Sequence, residues 1–153
     1  MATRDNFNRS ELCLVTVPPA APDTATVTST GVDLDFVNSA SMVFIFGATG
    51  DTLGATVKFT CKLQESDAAG AGYTDVADAE IIDTSRSPSN SITVDANAET
   101  SLAYRLGYKG NARYIRGVVT VTGVHTYGTP ICMLAILGNE RMGASQQASV
   151  AAG

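Results

Sequence analysis

The side chains of this sequence that could do chemistry are few and widely spaced. There is one histidine, His125, and there are three cysteines, Cys13, Cys61 and Cys132. A hydrolytic triad would have to use His125, which lies in the loop-like stretch TGVHTYGTP, and no GxSxG elbow supplies a nucleophile. An exposed or packed loop histidine is the simpler reading. Each cysteine sits in an apolar stretch (LCLV, FTCKL, ICMLA), as suits a reduced core thiol. Their odd number argues against a disulfide framework, and no CxxC pair offers a zinc site. Asp33 and Asp35 form a DxD on a strand that could share a hard cation such as calcium. Such a site needs several more oxygens, so a solvated strand face is expected, with no metal and no cofactor.

Two stretches invite a sharper reading. MVFIFGATGDTLG is a hydrophobic strand entering a Gly-rich turn, as in dinucleotide-binding loops. That chemistry needs a helix N-terminus directly after the glycines to hold a pyrophosphate. Here Gly47, Gly50 and Gly54 lead into Thr56 to Gln64, whose apolar period is two, so a hairpin turn is predicted instead. LGYKGNARYIR gathers Lys109, Arg113 and Arg116 with Tyr108 and Tyr114. Basic and aromatic residues interleaved in this way can stack on nucleic acid. The chain carries 15 acidic against 10 basic residues, a net charge of -5, which gives little counterion-release energy on a polyanion. Arg and Tyr contacts between subunits are the better expectation, because both types are enriched at protein interfaces.

The elements that must position these residues are strands. Val57, Phe59, Cys61 and Leu63 alternate with polar residues, as do Val32, Leu34 and Phe36; Leu102, Tyr104 and Leu106; and Ile115, Val119 and Val121. Met42 to Phe46 and Ile131 to Leu137 are apolar on both faces, which predicts central strands covered on both sides by a second sheet or a partner subunit. Turn signals recur at sandwich-like spacing, and only Asp75 to Asp83 could hold a single helical turn. The 153 residues suit one domain, and only 16% are charged, against about 25% in ordinary soluble domains. No apolar run approaches the ~20 residues of a membrane span. MATRDNFNRS has no apolar signal core, so neither secretion nor a membrane is expected. The predicted fold class is all-β, an antiparallel β-sandwich or jelly-roll-like barrel.

The ends differ from the middle. Residues 1–23 contain a strand-like piece, Glu11 to Val17, followed by Pro18, Pro19 and Pro22, and are predicted to form an extended N-terminal arm. Cys13, Val15 and Val17 would lie on one side of that strand, with Leu12 and Leu14 on the other. Such a strand is suited to augmenting another sheet. The sandwich is assigned to residues 24–140 and a short tail to residues 141–153. The interface candidates are Leu12, Leu14, Val15, Val17, Pro18 and Pro19 in the arm, and Tyr108, Arg113, Tyr114 and Arg116 in the body.

The ordered series VDLDF, SMVFIFGATGDTLGATVKFTCKLQESDAAGAGYTDV, YRLGYKGNARYIRGVVTVTG and GTPICMLAILGNER, over roughly residues 32–140, resembles capsid decoration (cement) proteins of tailed bacteriophages. The resemblance implies a non-enzymatic virion protein on the outer capsid surface, assembled in the host cytoplasm and bound to the major capsid protein, and since such proteins are often trimers a homotrimer is expected. On that reading the arm is a latch, and its deletion leaves a folded domain that attaches poorly. A tail-tube or head–tail connector protein and a carbohydrate-binding sandwich are the alternatives.

Overall fold

Period-two alternation becomes strand pairing almost everywhere in the computed structural model, which describes residues 12–21, 25–82 and 89–140. In chain order the strands are β1 (Leu12–Ala20), β2 (Val27–Thr28), β3 (Val32–Asp33), β4 (Val37–Phe46), β5 (Lys58–Ser66), β6 (Thr74–Asp75), β7 (Ile81–Ile82), β8 (Ile92–Val94), β9 (Ala103–Tyr108), β10 (Tyr114–Thr122) and β11 (Ile131–Glu140). One sheet has the order β1-β11-β4-β9-β7; the other runs β2-β10-β5-β6, with β3 also on β10 and β8 also on β5. All these ladders are antiparallel. The protein is an all-β sandwich. A 3-10 turn over Asp78–Glu80 falls inside the stretch where a single helical turn was predicted.

The core lies between the sheets. Met42, Phe44, Phe46, Leu106, Met133, Ala135 and Leu137 face inward from the five-stranded sheet, against Phe59, Cys61, Leu63, Ile92, Val94, Ile115 and Val119 from the other. The two layers meet closely at Gly117 on β10, where an added Cβ would come within 2.8 Å of Met133 Sδ and 3.1 Å of Phe44 Cε1. As expected, β4 and β11 are central strands, paired to each other from Ile131↔Phe46 to Glu140↔Val37.

Two expectations change. The Gly-rich stretch after β4 is no hairpin, because β4 and β5 belong to different sheets. Its residues cross the ~10 Å between layers, and paired hydrogen bonds between Gly54 and Val57 turn the chain so that β5 begins at Lys58. The reading of a local turn failed because β4 finds its partners, β9 and β11, far along the chain. Nor is the whole of 1–23 an arm: Leu12 to Ala20 pairs with β11 of its own chain, from Leu12↔Leu137 to Ala20↔Ile131. Residues 1–11, Pro22 and the tail 141–153 lie outside the described residues.

The register of β1 also departs from simple alternation. Val15 pairs with Leu134 but Val17 with Met133, so Thr16 is an extra residue, a β-bulge. The bulge turns Val17 inward to the core while Val15 stays 61% exposed. The Thr16 hydroxyl donates to the Met133 carbonyl at 3.1 Å, which fixes the kink.

Candidate functional site

The chemistry-bearing residues are built into the fold. His125 is buried beneath the loop between β10 and β11, its ring 4.4 Å from that of Phe59. Nε2 lies 3.2 Å from the Thr122 carbonyl oxygen, and Nδ1 lies 3.7 Å from Asp51 Oδ2. Asp51, from the loop after β4, accepts hydrogen bonds from the Thr126 and Tyr127 amides at 2.8 and 3.2 Å. Asn97 extends this network, accepting from the Leu53 amide and donating to the Asp51 carbonyl, each at 2.8 Å. The arrangement ties three loops at one end of the sandwich. Phe59 and this network leave His125 only 1% exposed.

At the opposite end the basic and aromatic residues are likewise engaged. Arg113 forks onto Asp33, Nε to Oδ1 at 3.1 Å and Nη2 to Oδ2 at 2.8 Å, with Asp35 at 3.8 Å. The DxD pair therefore holds a guanidinium of its own chain. Tyr114 lies beneath the same guanidinium at 5.2 Å. Tyr108 is buried, contrary to its selection as an interface residue. Its hydroxyl donates to Glu65 of the facing sheet and accepts from the Ala112 amide at 2.9 Å. Burial, reinforced by the Glu65 hydrogen bond, pushes its phenol well above 10, so it stays a protonated donor. Arg116 stacks 4.1 Å over Tyr73 and donates twice to Gln64 Oε1. Planar stacking and forked donation suit arginine and would be lost with lysine.

These pairs add an acid-sensitive contribution to stability, a small one because their side chains are 33–50% exposed. Burial pushes the Asp33 carboxyl up, but hydrogen bonds from Arg113 and the Asp35 amide outweigh it and leave it below the usual range. Hydrogen bonds from Lys62 and Gln64 lower Asp75 likewise. A carboxyl lowered by folding stabilises the native state above its unfolded value, here 3.8, and that contribution is lost as pH falls through the folded value. Melting temperature is expected to fall between about pH 4 and pH 2, and Asp33→Asn with Asp75→Asn is expected to flatten that fall. An equally steep fall in the double variant would rule these pairs out as its source.

The remaining candidates sit on β1, and the structure divides them. Val17 is buried and Leu14 half-buried against the core, so neither faces outward as an interface residue. Pro18 and Pro19 are exposed at the end of the strand, and Leu12 pairs with Leu137. Val15 projects outward beside Cys13, which is exposed and not the core thiol predicted for it. Cys61 is buried in the core, and Cys132 is half-buried on the outer face. Among the described residues no strand pairs with the far edge of β1.

Val15 belongs to a larger surface that the sequence had not singled out. Neighbouring registers line up Val15, Leu134, Val43 and Arg105 in one row across the five-stranded sheet. Cys13, Ile136, Ser41, Gly107 and Ile82 form the next, and Cys132, Ile45 and Ala103 a third. These residues alternate with the buried core positions, so they form the sheet's outer face. Ile82 is 49% exposed. Arg105 is the charged residue in these rows. The outer face of the other sheet instead carries Lys58, Thr60, Lys62, Gln64, Arg116, Thr120 and Thr122, with Val118 and Tyr114 among them. The first face is the more apolar and the second the more polar.

No protein-family model matches this sequence, and no curated protein matches it. Among the described residues no helix is long and apolar enough to cross a membrane.

Proposed function

We propose that this protein is a non-enzymatic structural component of a phage virion. It attaches to the outer surface of the capsid through the major capsid protein and stabilises it. The observation that carries the reading is the free edge of β1. Its backbone groups on the side away from β11 have no strand partner among the described residues, and Val15 and Cys13 project beside that edge. An edge of this kind accepts an extended strand from another protein, with main-chain hydrogen bonds for affinity and the exposed side chains for selectivity. Pro18 and Pro19 limit pairing to the first part of the strand, because proline has no amide hydrogen to donate. The commitment of His125, Tyr108 and Arg113 to contacts within the chain supports a scaffold that works by shape. The net charge of -5 suits the outside of a capsid better than its DNA-facing interior, where like charges repel.

The test uses capsids assembled without the protein and measures its co-sedimentation. Wild-type protein is expected to saturate a fixed number of sites per capsid. Val15→Lys, at an exposed position that leaves the core intact, is expected to weaken attachment at least tenfold. Failure of the wild type to bind, or its assembly into six- or twelve-fold rings, would overturn the proposal.

A further inference from the structure

The three most exposed large apolar side chains among the described residues are Tyr127 at 75%, Val124 at 72% and Val15 at 61%. Val15 stands on β1, and the other two stand on the loop between β10 and β11. These places adjoin. Ala20, the last residue of β1, pairs with Ile131 at the start of β11. Ala21 then packs on Gly128, where an added Cβ would lie 3.2 Å from the Ala21 carbonyl oxygen. The free edge of β1 therefore ends beside the residue that follows Tyr127.

The loop holds that ring still. Tyr127 lies against Gly50, whose missing side chain makes the room: a Cβ there would come within 3.0 Å of Tyr127 Cβ and 3.2 Å of its Cγ. Asp51 accepts from the Tyr127 amide at 3.2 Å, and Thr49 Oγ1 accepts from the Asp51 amide at 3.1 Å. The Gly47 amide donates to the Pro130 carbonyl at 2.7 Å. Within the loop two buried polar atoms, His125 Nδ1 and Thr129 Oγ1, have no hydrogen-bond partner among the described residues. Burying such atoms unpaired lowers stability, and departures of this kind gather where a fold presents a functional surface.

We infer that the capsid-docking surface continues past the end of β1 onto this loop, with Tyr127 as its aromatic anchor; the inference rests on the attachment reading above. Pro18 and Pro19 have no amide hydrogen, so a strand added to β1 stops pairing there, after only about six residues. A ladder that short is marginal alone. The same segment, carried on past the prolines, meets a rigid ring placed as an interface hot spot. Tyrosine suits that role, because it offers a large face with only two side-chain torsions to fix.

The surroundings specify the segment. LCLVTVPPA and GVHTYGTP contain no Asp, Glu, Lys or Arg, so a charge brought onto them would lose water and meet no exposed counter-charge there. The occupant is an extended, uncharged stretch of the major capsid protein, on the order of ten residues at ~3.3 Å each, with apolar side chains over Val15 and Tyr127. A sugar would need directional donors and acceptors around the ring. Asp51, Thr49 and Asn97 instead commit theirs within the chain.

Co-sedimentation with capsids assembled without the protein tests the anchor. Tyr127→Ala is expected to weaken attachment at least tenfold while moving the melting temperature by no more than about 2 °C, since the ring lies outside the core. Tyr127→Phe keeps the ring and is expected to bind within about twofold of wild type. Thr120→Ala, exposed on the other sheet, is expected to leave attachment unchanged. Undiminished binding by Tyr127→Ala, while Val15→Lys still binds weakly, would overturn the anchor and leave the β1 edge as the docking site. Equal losses in Tyr127→Phe and Tyr127→Ala would replace the apolar contact with a hydroxyl hydrogen bond and overturn it too. Release of the wild type from capsids by neutral oligosaccharides would assign the ring to a sugar instead. A wild type that binds no capsid would overturn the attachment reading itself, and the anchor with it.

Discussion

Deletion of residues 1–23 is expected to lower stability by on the order of 4 kcal/mol and to make the protein aggregate. This reverses the consequence of treating the segment as a detachable arm. The deletion removes β1, and with it the burial of Val17 and part of Leu14 against the core and the hydrogen bond from Thr16 to the Met133 carbonyl. It also bares β11 along one edge. From Ile131 to Leu137 that strand is apolar on both faces and carries neither proline nor charge, so its bare edge is a template for pairing with other chains. At about 2–4 °C per kcal/mol for a chain of this size, the melting temperature is expected to fall by roughly 10–15 °C. Deletion of residues 1–11, which stops short of β1, is expected to change it by no more than about 2 °C. Circular dichroism melts with light scattering check both variants. Equal stability of the 1–23 deletion and the wild type would mean that β1 contributes nothing to the sandwich.

Gly123→Val is expected to be the most damaging single substitution considered, costing about 3–5 kcal/mol. Gly123 follows β10 at φ +82°, in the left-handed region that a β-branched residue rarely adopts. Space is lacking as well as conformational freedom. A Cβ there would lie 2.3 Å from the Thr56 carbonyl oxygen and 3.1 Å from Val57 Cα, and backbone atoms cannot swing aside as a side chain end can. The clash falls where the loop before β5 meets the loop after β10, so relief would pull on the ladder that pairs Thr122 with Lys58. Gly54→Ala is the matched control: nothing lies within 4 Å of its Cβ position. Its effect is expected to stay within about 0.5–1 kcal/mol. Urea unfolding of the two variants measures the contrast. Similar midpoints for both would show that the contact with Thr56 relaxes freely.

What was legible in the sequence is local and periodic. Phe59, Cys61 and Leu63 alternate with Lys62 and Gln64, and that spacing alone puts the first three into a core. Met42 to Phe46 and Ile131 to Leu137 are apolar on both faces and became central strands for that reason. The same two runs held the signal for the outer face, since Val43, Ile45, Leu134 and Ile136 are their outward halves. The sequence could say that something must cover them. It could not say that they lie side by side.

The sites were less legible because they depend on partners distant in the chain. Tyr108 looked like an interface residue until Glu65, 43 positions away, closed over its hydroxyl. Asp33 and Asp35 read as a solvated strand face, and nothing near them in sequence announced that Arg113, 80 positions beyond Asp33, would fork onto that carboxylate. On β1, one extra residue at Thr16 turned Val17 inward and left Val15 outside, because a slip of one residue exchanges the two faces of a strand. By itself, then, the sequence determined that the chain forms strands and which residues of most strands face inward, since both follow from side-chain alternation along a few residues. Tertiary structure alone decided which strands are neighbours, and so which outward residues share one face. Pairing order is fixed by contacts between segments far apart in the chain, and no local spacing records it.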